Sequence, residues 1–280
     1  MPEAKTMTIA VLLIISPTAP AAAWSLDGIQ QSLFGAAAPE QPEYLAATTP
    51  AQTLQPTGSV PADPAAGLDF SDETPGAAPK NLTPVVGNWL VGQDGANPVL
   101  AVDGRAWSRG QPAAGIADRA RGLYGERYAE FLDNVKAYAY FPYAVLNGVE
   151  DFRAGTIAVR FKGVAGRIDQ AAGILFDLKP NGDYYTVRAN PLESNLVLWQ
   201  FKRGKRSSVK WIKNTPTASG QWHELKVEVR GQTVTAALDG KVYLTSELPE
   251  PVSGRIGLWS KADSVVYFDA LRVTPAEAQP

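Results

Sequence analysis

The sequence predicts an all-β domain, a sandwich of two antiparallel sheets accompanied by one short helix. Beyond Val149, turn residues recur roughly every eight to twelve residues, which is the spacing typical of a β-sandwich. The runs between these turns alternate apolar and polar residues, most clearly where Leu225, Val227 and Val229 alternate with charged neighbours. Because this is the period of a strand with one buried face, we expect the core to lie between two sheets.

Composition excludes several classes of site. The chain has 280 residues, a formal net charge of −2 and no cysteine. Its near-neutral charge provides no field that would attract nucleic acid or anionic lipid, so no nucleic-acid partner is expected. Without cysteine there are no disulfides, thiolate metal sites or cysteine nucleophiles. The single histidine, His223, is interpreted as a hydrogen-bonded structural residue, because no nucleophile pattern surrounds it.

The N-terminus has the pattern of an export signal. Lys5 precedes the apolar run Thr8–Pro17, and Ala21–Ala23 supply the small residues that a signal peptidase needs. Cleavage is expected after Ala23. Since the apolar run is shorter than the roughly 20 residues that span a bilayer, no membrane insertion is expected after cleavage. We therefore predict a secreted or periplasmic bacterial protein.

The segment that follows differs in composition from the rest of the chain. Residues 24–80 are rich in Ala, Pro and Thr and poor in large aliphatic residues. They offer little apolar surface to offset chain entropy, so they are predicted to be a disordered linker. The folded domain is expected over residues 81–274, and residues 275–280 are predicted to be a disordered tail.

The first predicted elements are a hairpin and the helix. Val85–Val91 and Pro98–Val102 are strand-like runs separated by a turn at Gly95. Ala117–Ala139 predicts the helix, because apolar residues recur there at three- and four-residue spacing. The aromatic residues that follow, up to Tyr143, alternate with alanines and predict a half-buried strand.

A second hairpin, over Asp169–Asn195, organises the rest of the chain. Its strands are separated by Asn181-Gly182, residues that tolerate the backbone of a tight turn. Alternation sends Tyr185 and Val187 to the core face, and it sends the other strand residues to the face where we expect function. Those other residues are Tyr184, Thr186 and Arg188.

The later strands are predicted from the same alternation. Leu196–Phe201 is apolar on both faces and should lie inside a sheet. Glu224 and Glu228 lie on a flat charged face, so they do not predict a glycosidase acid–base pair. In the run Gly254–Ser264, Ile256 and Leu258 should face the core, and Trp259 on the opposite side should be partly exposed.

Three segments together resemble a known family: DQAAGILF to YYTVRANPLESNLVLW, then QWHELKVEVRGQTVTAALDGK, then GRIGLWSKADSVVYFDALRV. They are similar to bacterial secreted domains of the concanavalin A-like lectin/glucanase superfamily, close to its laminin-G-like and 3-keto-disaccharide hydrolase group. The resemblance covers about Val85–Val273 and implies a jelly-roll sandwich with a saccharide in a concave groove. The Glu-x-Asp-x-x-Glu motif of glycoside hydrolase family 16 is absent from the chain.

Three functions are consistent with this sequence. The first is saccharide binding in the groove, which needs hydrogen-bonding side chains and an aromatic ring that stacks on the sugar. The residues we expect to bind are Gln170, Tyr184, Arg188, Asn190, Asn195, Trp259 and Lys261. Asp169 and Asp263 would accept or bridge hydrogen bonds, and Arg188 and Asp263 are expected on the same side.

The second function is hydrolysis of a glycoside such as a 3-keto-disaccharide. Its candidate catalytic residues are Asp169, Glu193 and Asp263, with Asp177 as a further carboxylate. The third is a structural or interaction domain, in which Glu193 and Asn195 only brace Arg188. No cofactor is expected, although Asp and Asn in the loops leave calcium as an alternative. The saccharide-binding function is our main prediction.

Overall fold

The computed structural model describes residues 67–105, Leu123, residues 141–203 and residues 205–276. The predicted signal peptide, the linker up to residue 66 and, apart from Leu123, the predicted helix lie outside these residues. No helix long and apolar enough to cross a bilayer occurs in the part of the chain that the structure describes.

The described residues form a β-sandwich, as predicted. The strands of its first half are β1 (Leu82–Val86), β2 (Asn88–Asp94), β3 (Asn97–Asp103), β4 (Tyr143–Leu146), β5 (Gly155–Ala165), β6 (Ala172–Leu178) and β7 (Tyr184–Asn190). Those of its second half are β8 (Asn195–Lys202), β9 (Lys205–Lys213), β10 (Trp222–Arg230), β11 (Thr233–Leu238), β12 (Lys241–Glu247), β13 (Arg255–Ser260) and β14 (Val265–Pro275).

These strands form two seven-stranded antiparallel sheets with jelly-roll architecture. The first sheet has the order β1-β4-β13-β6-β7-β8-β9, and the second has the order β12-β11-β10-β5-β14-β3-β2. In each sheet, strands distant in sequence are neighbours, as where β14 pairs with both β3 and β5. The predicted hairpins β6–β7 and β10–β11 are both present.

Alternation was predicted correctly, and it divides the buried residues between two clusters. Tyr185, Val187, Ile256 and Leu258 contribute to the main core between the sheets, as do Leu225 and its neighbours on β10. A second cluster covers the outer face of the first sheet, meaning the face that points away from the second sheet. This outer cluster contains Tyr143, Tyr184, Trp199, Phe201 and Trp259, and Leu123 packs against it.

The first predicted hairpin needs a correction. Val85–Val91 is not one strand, because the chain passes from β1 in the first sheet to β2 in the second sheet at Gly87. Gly87 has a φ of 88°, and a Cβ there would lie 2.6 Å from Cβ of Pro142. Such a conformation and such a close approach both require glycine. The actual hairpin is β2–β3, with Gly95 in its turn.

Residues 67–80, which we predicted to be linker, pack on the sandwich. Leu68 and Phe70 are buried in the main core, and Leu68 exchanges backbone hydrogen bonds with Leu271. Farther on, the amide of Gly76 donates to the carbonyl of Val91, and the amide of Val91 donates to the carbonyl of Ala77. This segment therefore belongs to the folded domain.

Candidate functional site

Most of the predicted site residues meet at one end of the first sheet. There the β7–β8 turn lies beside the segment that enters β6 and the segment that leaves β13. The structure brings together Asp169, Gln170, Arg188, Asn190, Glu193, Asn195 and Lys261, and we call these residues the polar cluster. Strand alternation places Arg188 and Asn190 on the outer face, which is where function was predicted.

Arg188 is the centre of one half of the polar cluster. Its side chain is 1% exposed, and its Nη1 donates to Oε2 of Glu193 at 2.9 Å and to Oδ1 of Asn195 at 2.6 Å. Asn195 Nδ2 donates to the same Glu193 oxygen at 2.9 Å. Burial raises the pKa of Glu193, but the Arg188 charge and these hydrogen bonds lower it by more, so the net pKa is depressed. The arrangement is the brace that was our third alternative.

The second half of the polar cluster is an ion pair removed from water. Nζ of Lys261 lies 2.6 Å from Oδ2 of Asp169, and the two side chains are 8% and 0% exposed. Nδ2 of Asn190 donates to Oδ1 of Asp169 at 2.7 Å. Burial raises the pKa of Asp169 and lowers the pKa of Lys261, and in each case the charge of the partner offsets only part of the effect.

The hydrogen bonds of Gln170 and Asp263 hold loops in place. Neither residue is a hydrogen-bond partner in the Arg188 brace described above. The amide of Gln170 donates to Oδ1 of Asn190, and its side-chain Oε1 accepts from the hydroxyl of Ser219. The carboxylate of Asp263 accepts from three consecutive backbone amides, those of residues 167–169, at 2.8–3.1 Å. Asp263 therefore holds the loop that precedes β6, whereas Arg188 is held by Glu193 and Asn195.

Tyr184 and Trp259 are not sugar platforms, because both are buried. Trp259 is 0% exposed, and its Nε1 donates to the hydroxyl of Tyr184 at 3.1 Å. Phe141 stacks on Trp259 with ring centroids 5.7 Å apart, and Tyr184 stacks on Phe201 at 4.4 Å. The alternation that placed Trp259 away from the core was right. It could not reveal that a second apolar layer covers this face.

One accessible aromatic residue on this face was missed. Trp211 on edge strand β9 is 44% exposed, and Trp199 contacts it edge-on with centroids 5.2 Å apart. Arg188, Val197 and Trp211 are register partners across β7, β8 and β9, so the backbone of Trp211 lies about 10 Å from that of Arg188, which is two strand spacings. The sequence contained a signal for an outward-facing Trp211, because this residue alternates with the core-facing Ile212 in a strand rich in lysine and serine.

The candidate catalytic carboxylates are poorly placed for acid–base work. Asp169 is buried against Lys261, Asp263 is held by backbone amides, and Asp177 lies at the far end of β6, where it accepts from the amide of Ser253. Glu193 is the most accessible of them, with 37% of its side chain exposed. Among the described residues, no group of three or more His, Asp or Glu side chains is arranged to hold a metal ion.

Comparisons with known proteins give one family and several remote structures. The laminin G domain family matches residues 167–278, which is less than half of the chain. The carbohydrate-binding module CBM66 from Bacillus subtilis is 14% identical, over 68% of this chain and 93% of that chain, with a TM-score of 0.48. The galectin LEC-6 from Caenorhabditis elegans is 14% identical, over 44% and 84% of the two chains, with a TM-score of 0.37.

A third structure, the β-glucanase of Bacillus licheniformis, is 13% identical over 49% of this chain and 71% of that chain, with a TM-score of 0.36. No curated protein sequence matches the chain. The family match agrees with the laminin-G-like part of the resemblance, whereas the 3-keto-disaccharide hydrolase part stays a prediction. The chain is thus similar to a laminin G domain over its C-terminal part, and its two sheets form a jelly-roll sandwich of the concanavalin A-like type.

Proposed function

We propose that the domain binds a saccharide at the β8–β9 edge of the outer face of the first sheet. The observation that carries this proposal is Trp211, a large indole that is accessible while Trp199 fixes its orientation. Exposed aromatic side chains held in a rigid position are the groups that stack on flat ligand faces. Val209 on the same strand and Leu192 in the β7–β8 turn are also exposed, which extends the apolar surface near this edge.

The polar side of the proposed site is the rim of the polar cluster. Glu193 combines an accessible carboxylate with a fixed position, because Arg188 and Asn195 both hold its Oε2. A carboxylate that is already oriented can accept hydrogen bonds from sugar hydroxyls at little further entropic cost. In this proposal Arg188 and Asn195 position Glu193, and Trp211 supplies the stacking surface.

Binding has more support than hydrolysis. Cleavage of a glycoside requires two carboxylic groups on either side of the scissile bond. Of the four carboxylates that we considered, Glu193 alone is both accessible and free of contact with a backbone loop. A saccharide-binding site needs only the platform and its rim.

Export is part of the same proposal. The charged start, apolar run and small residues of positions 1–23 favour a signal peptide, which would bring the domain to extracellular or periplasmic glycans. N-terminal sequencing of the protein recovered outside the cytoplasm tests this directly. A mature N-terminus at Trp24 is expected, and an intact Met1 in the exported fraction would contradict it.

The binding proposal is tested by replacing the platform. A glycan array with the wild-type protein identifies a bound oligosaccharide, and titration then compares it with the Trp211→Ala variant. We expect this change to weaken binding by about 1–3 kcal/mol, the usual range for one aromatic stacking contact. The melting temperature should change little, because Trp211 is already 44% exposed.

The matched control is Val242→Ala, which truncates an exposed apolar residue on edge strand β12 of the other sheet. It should leave the affinity for the oligosaccharide unchanged. Absence of any glycan binding by the wild-type protein, or equal loss of affinity in both variants, would refute the proposed site.

A further inference from the structure

The Asp169–Lys261 pair is unusual because both charged groups are withdrawn from water and lie in contact. Nζ of Lys261 and Oδ2 of Asp169 are 2.6 Å apart. The two residues are far apart in sequence. They meet because β13 pairs with β6: Ser260, the residue before Lys261, is the register partner of Ala172, which lies three residues after Asp169.

The backbone around the pair is held firmly. Oγ of Ser260 donates to the carbonyl of Ala171, and the amide of Ala171 donates to Oγ of Ser264. On the other side of the contact, the Asp263 carboxylate accepts from the amide of Asp169 itself. An amine and a carboxyl group held in this way have a high effective concentration toward each other.

The environment also favours the reactive protonation states. Burial raises the pKa of Asp169 and lowers the pKa of Lys261, and both shifts favour the uncharged forms, a carboxylic acid and a neutral amine. Nδ2 of Asn190 donates to Oδ1 of Asp169 at 2.7 Å. A donor at that oxygen stabilises the negative charge that develops there when a nucleophile adds to the carboxyl carbon.

We propose that Lys261 and Asp169 condense to form an intramolecular isopeptide bond. The neutral amine adds through Nζ to the protonated carboxyl carbon, and an amide forms between Nζ and Cγ. The Asp169 C–Oδ2 bond breaks, and that oxygen leaves as water with its own proton and one proton from the amine. No oxidant, cofactor or other reactant is consumed. Asn190 contacts the reacting carboxyl and is the catalytic residue of this step.

The consequence is a covalent link between the start of β6 and the end of β13 in a chain that has no cysteine. A bond of this kind restricts the conformations of the unfolded chain in the same way as a disulfide, and it does not depend on redox conditions. It also closes a segment that contains most of the first sheet, including the β8–β9 edge.

The chain supplies a matched comparison. Nζ of Lys162 also lies 2.6 Å from Oδ1 of Asp94, but these side chains are 17% and 27% exposed. Hydrogen bonds from Lys162 and Trp222 lower the pKa of Asp94 below its ordinary value, the opposite direction from Asp169. An ionised carboxylate beside an accessible ammonium does not condense, so this pair should stay unlinked.

Mass spectrometry of the full-length folded protein tests the proposal. After denaturation and digestion with trypsin, we expect residues 168–188 and 256–272 as one linked species, lighter by one water than the sum of its two peptides. Trypsin does not cleave after an acylated lysine, so the free peptide 256–261 should be lost. The Lys162 and Asp94 peptides should be recovered separately.

Two variants test whether Lys261 and Asp169 are covalently bonded or only lie in contact. Asn190→Ala keeps both reacting groups and should reduce the linked fraction, whereas Lys261→Met should abolish the linked species. Because the wild-type digest alone decides the matter, the result stands even where a variant does not fold. Full recovery of the free peptide 256–261 from folded wild-type protein would overturn the proposal, and it would leave saccharide binding at Trp211 unaffected.

Discussion

Arg188 and Trp259 occupy one row of the first sheet, with Gly173 between them in register. A Cβ on Gly173 would lie 2.8 Å from Oγ1 of Thr186 and 3.1 Å from Cε3 of Trp259. Because glycine leaves this space open, the indole can lie across β6 and reach Tyr184. Two residues that alternation assigns to the same face therefore have different roles: Arg188 orders a polar turn, and Trp259 fills an apolar layer.

Trp259 gives the first residue-scale prediction. Trp259→Ala should lower the free energy of unfolding by about 3–5 kcal/mol, because it removes a fully buried indole and leaves a cavity. Urea unfolding monitored by circular dichroism measures this loss. Trp211→Ala is the control, since it removes the same side chain from an accessible position. Equal stability of the two variants would contradict our account of the outer cluster.

Glu193 gives a prediction of pH dependence. Its net pKa in the folded protein lies below the ordinary glutamate value of 4.5, so folding favours the ionised form. The stabilisation is fully present above that ordinary value and is lost as pH falls through the depressed folded value. Because the side chain is partly exposed, we expect a contribution below about 1 kcal/mol.

Comparison of wild-type protein with Glu193→Gln by urea unfolding at several pH values isolates this contribution. The difference in stability between the two proteins should be constant near neutral pH and should shrink below pH 4.5. A difference that grows as the solution is acidified would have the wrong sign for a depressed pKa.

At the scale of elements, the segment of residues 67–80 shows how a short packed piece differs from a linker. Its composition resembles the preceding residues, yet Phe70 is 1% exposed in the main core and backbone hydrogen bonds attach the segment to Val91 of β2. Two apolar residues without periodicity are a weak sequence signal. They become part of the core because the sandwich offers a place for them.

This docking predicts different behaviour for two truncated chains. A chain that begins at residue 67 should melt like the full-length protein. A chain that begins at residue 81 should be less stable, since burial of the Phe70 side chain alone is worth about 1.5–3 kcal/mol. Thermal melting of both chains, with Phe70→Ala in the full-length protein as a control, measures the effect. Identical melting of the two chains would restore the linker interpretation for residues 67–80.

At the scale of the whole molecule, the two faces of the first sheet are both apolar over most of their area. The inner face packs on the second sheet, and the outer face carries the outer cluster with Phe141 and Leu123 against it. Among the described residues, the exposed large apolar side chains of this sheet are on β9 and in the β7–β8 turn, namely Val209, Trp211 and Leu192. This explains why the proposed site lies beside the predicted polar residues and not on the buried Tyr184 and Trp259.

The sequence by itself determined the all-β class, the hairpins and the inward and outward alternation of each strand, because these depend on local turn chemistry and on a period of two residues. It also identified the residues of the polar cluster, of which Arg188, Asn190, Glu193 and Asn195 follow one another around the β7–β8 turn. Only the tertiary structure decided which outward side chains are exposed. Exposure depends on segments distant in sequence that pack over a face, as Phe141 packs over Trp259, and no local pattern encodes such a contact. For the same reason Arg188 was predicted to bind a saccharide directly, and Trp211 was overlooked.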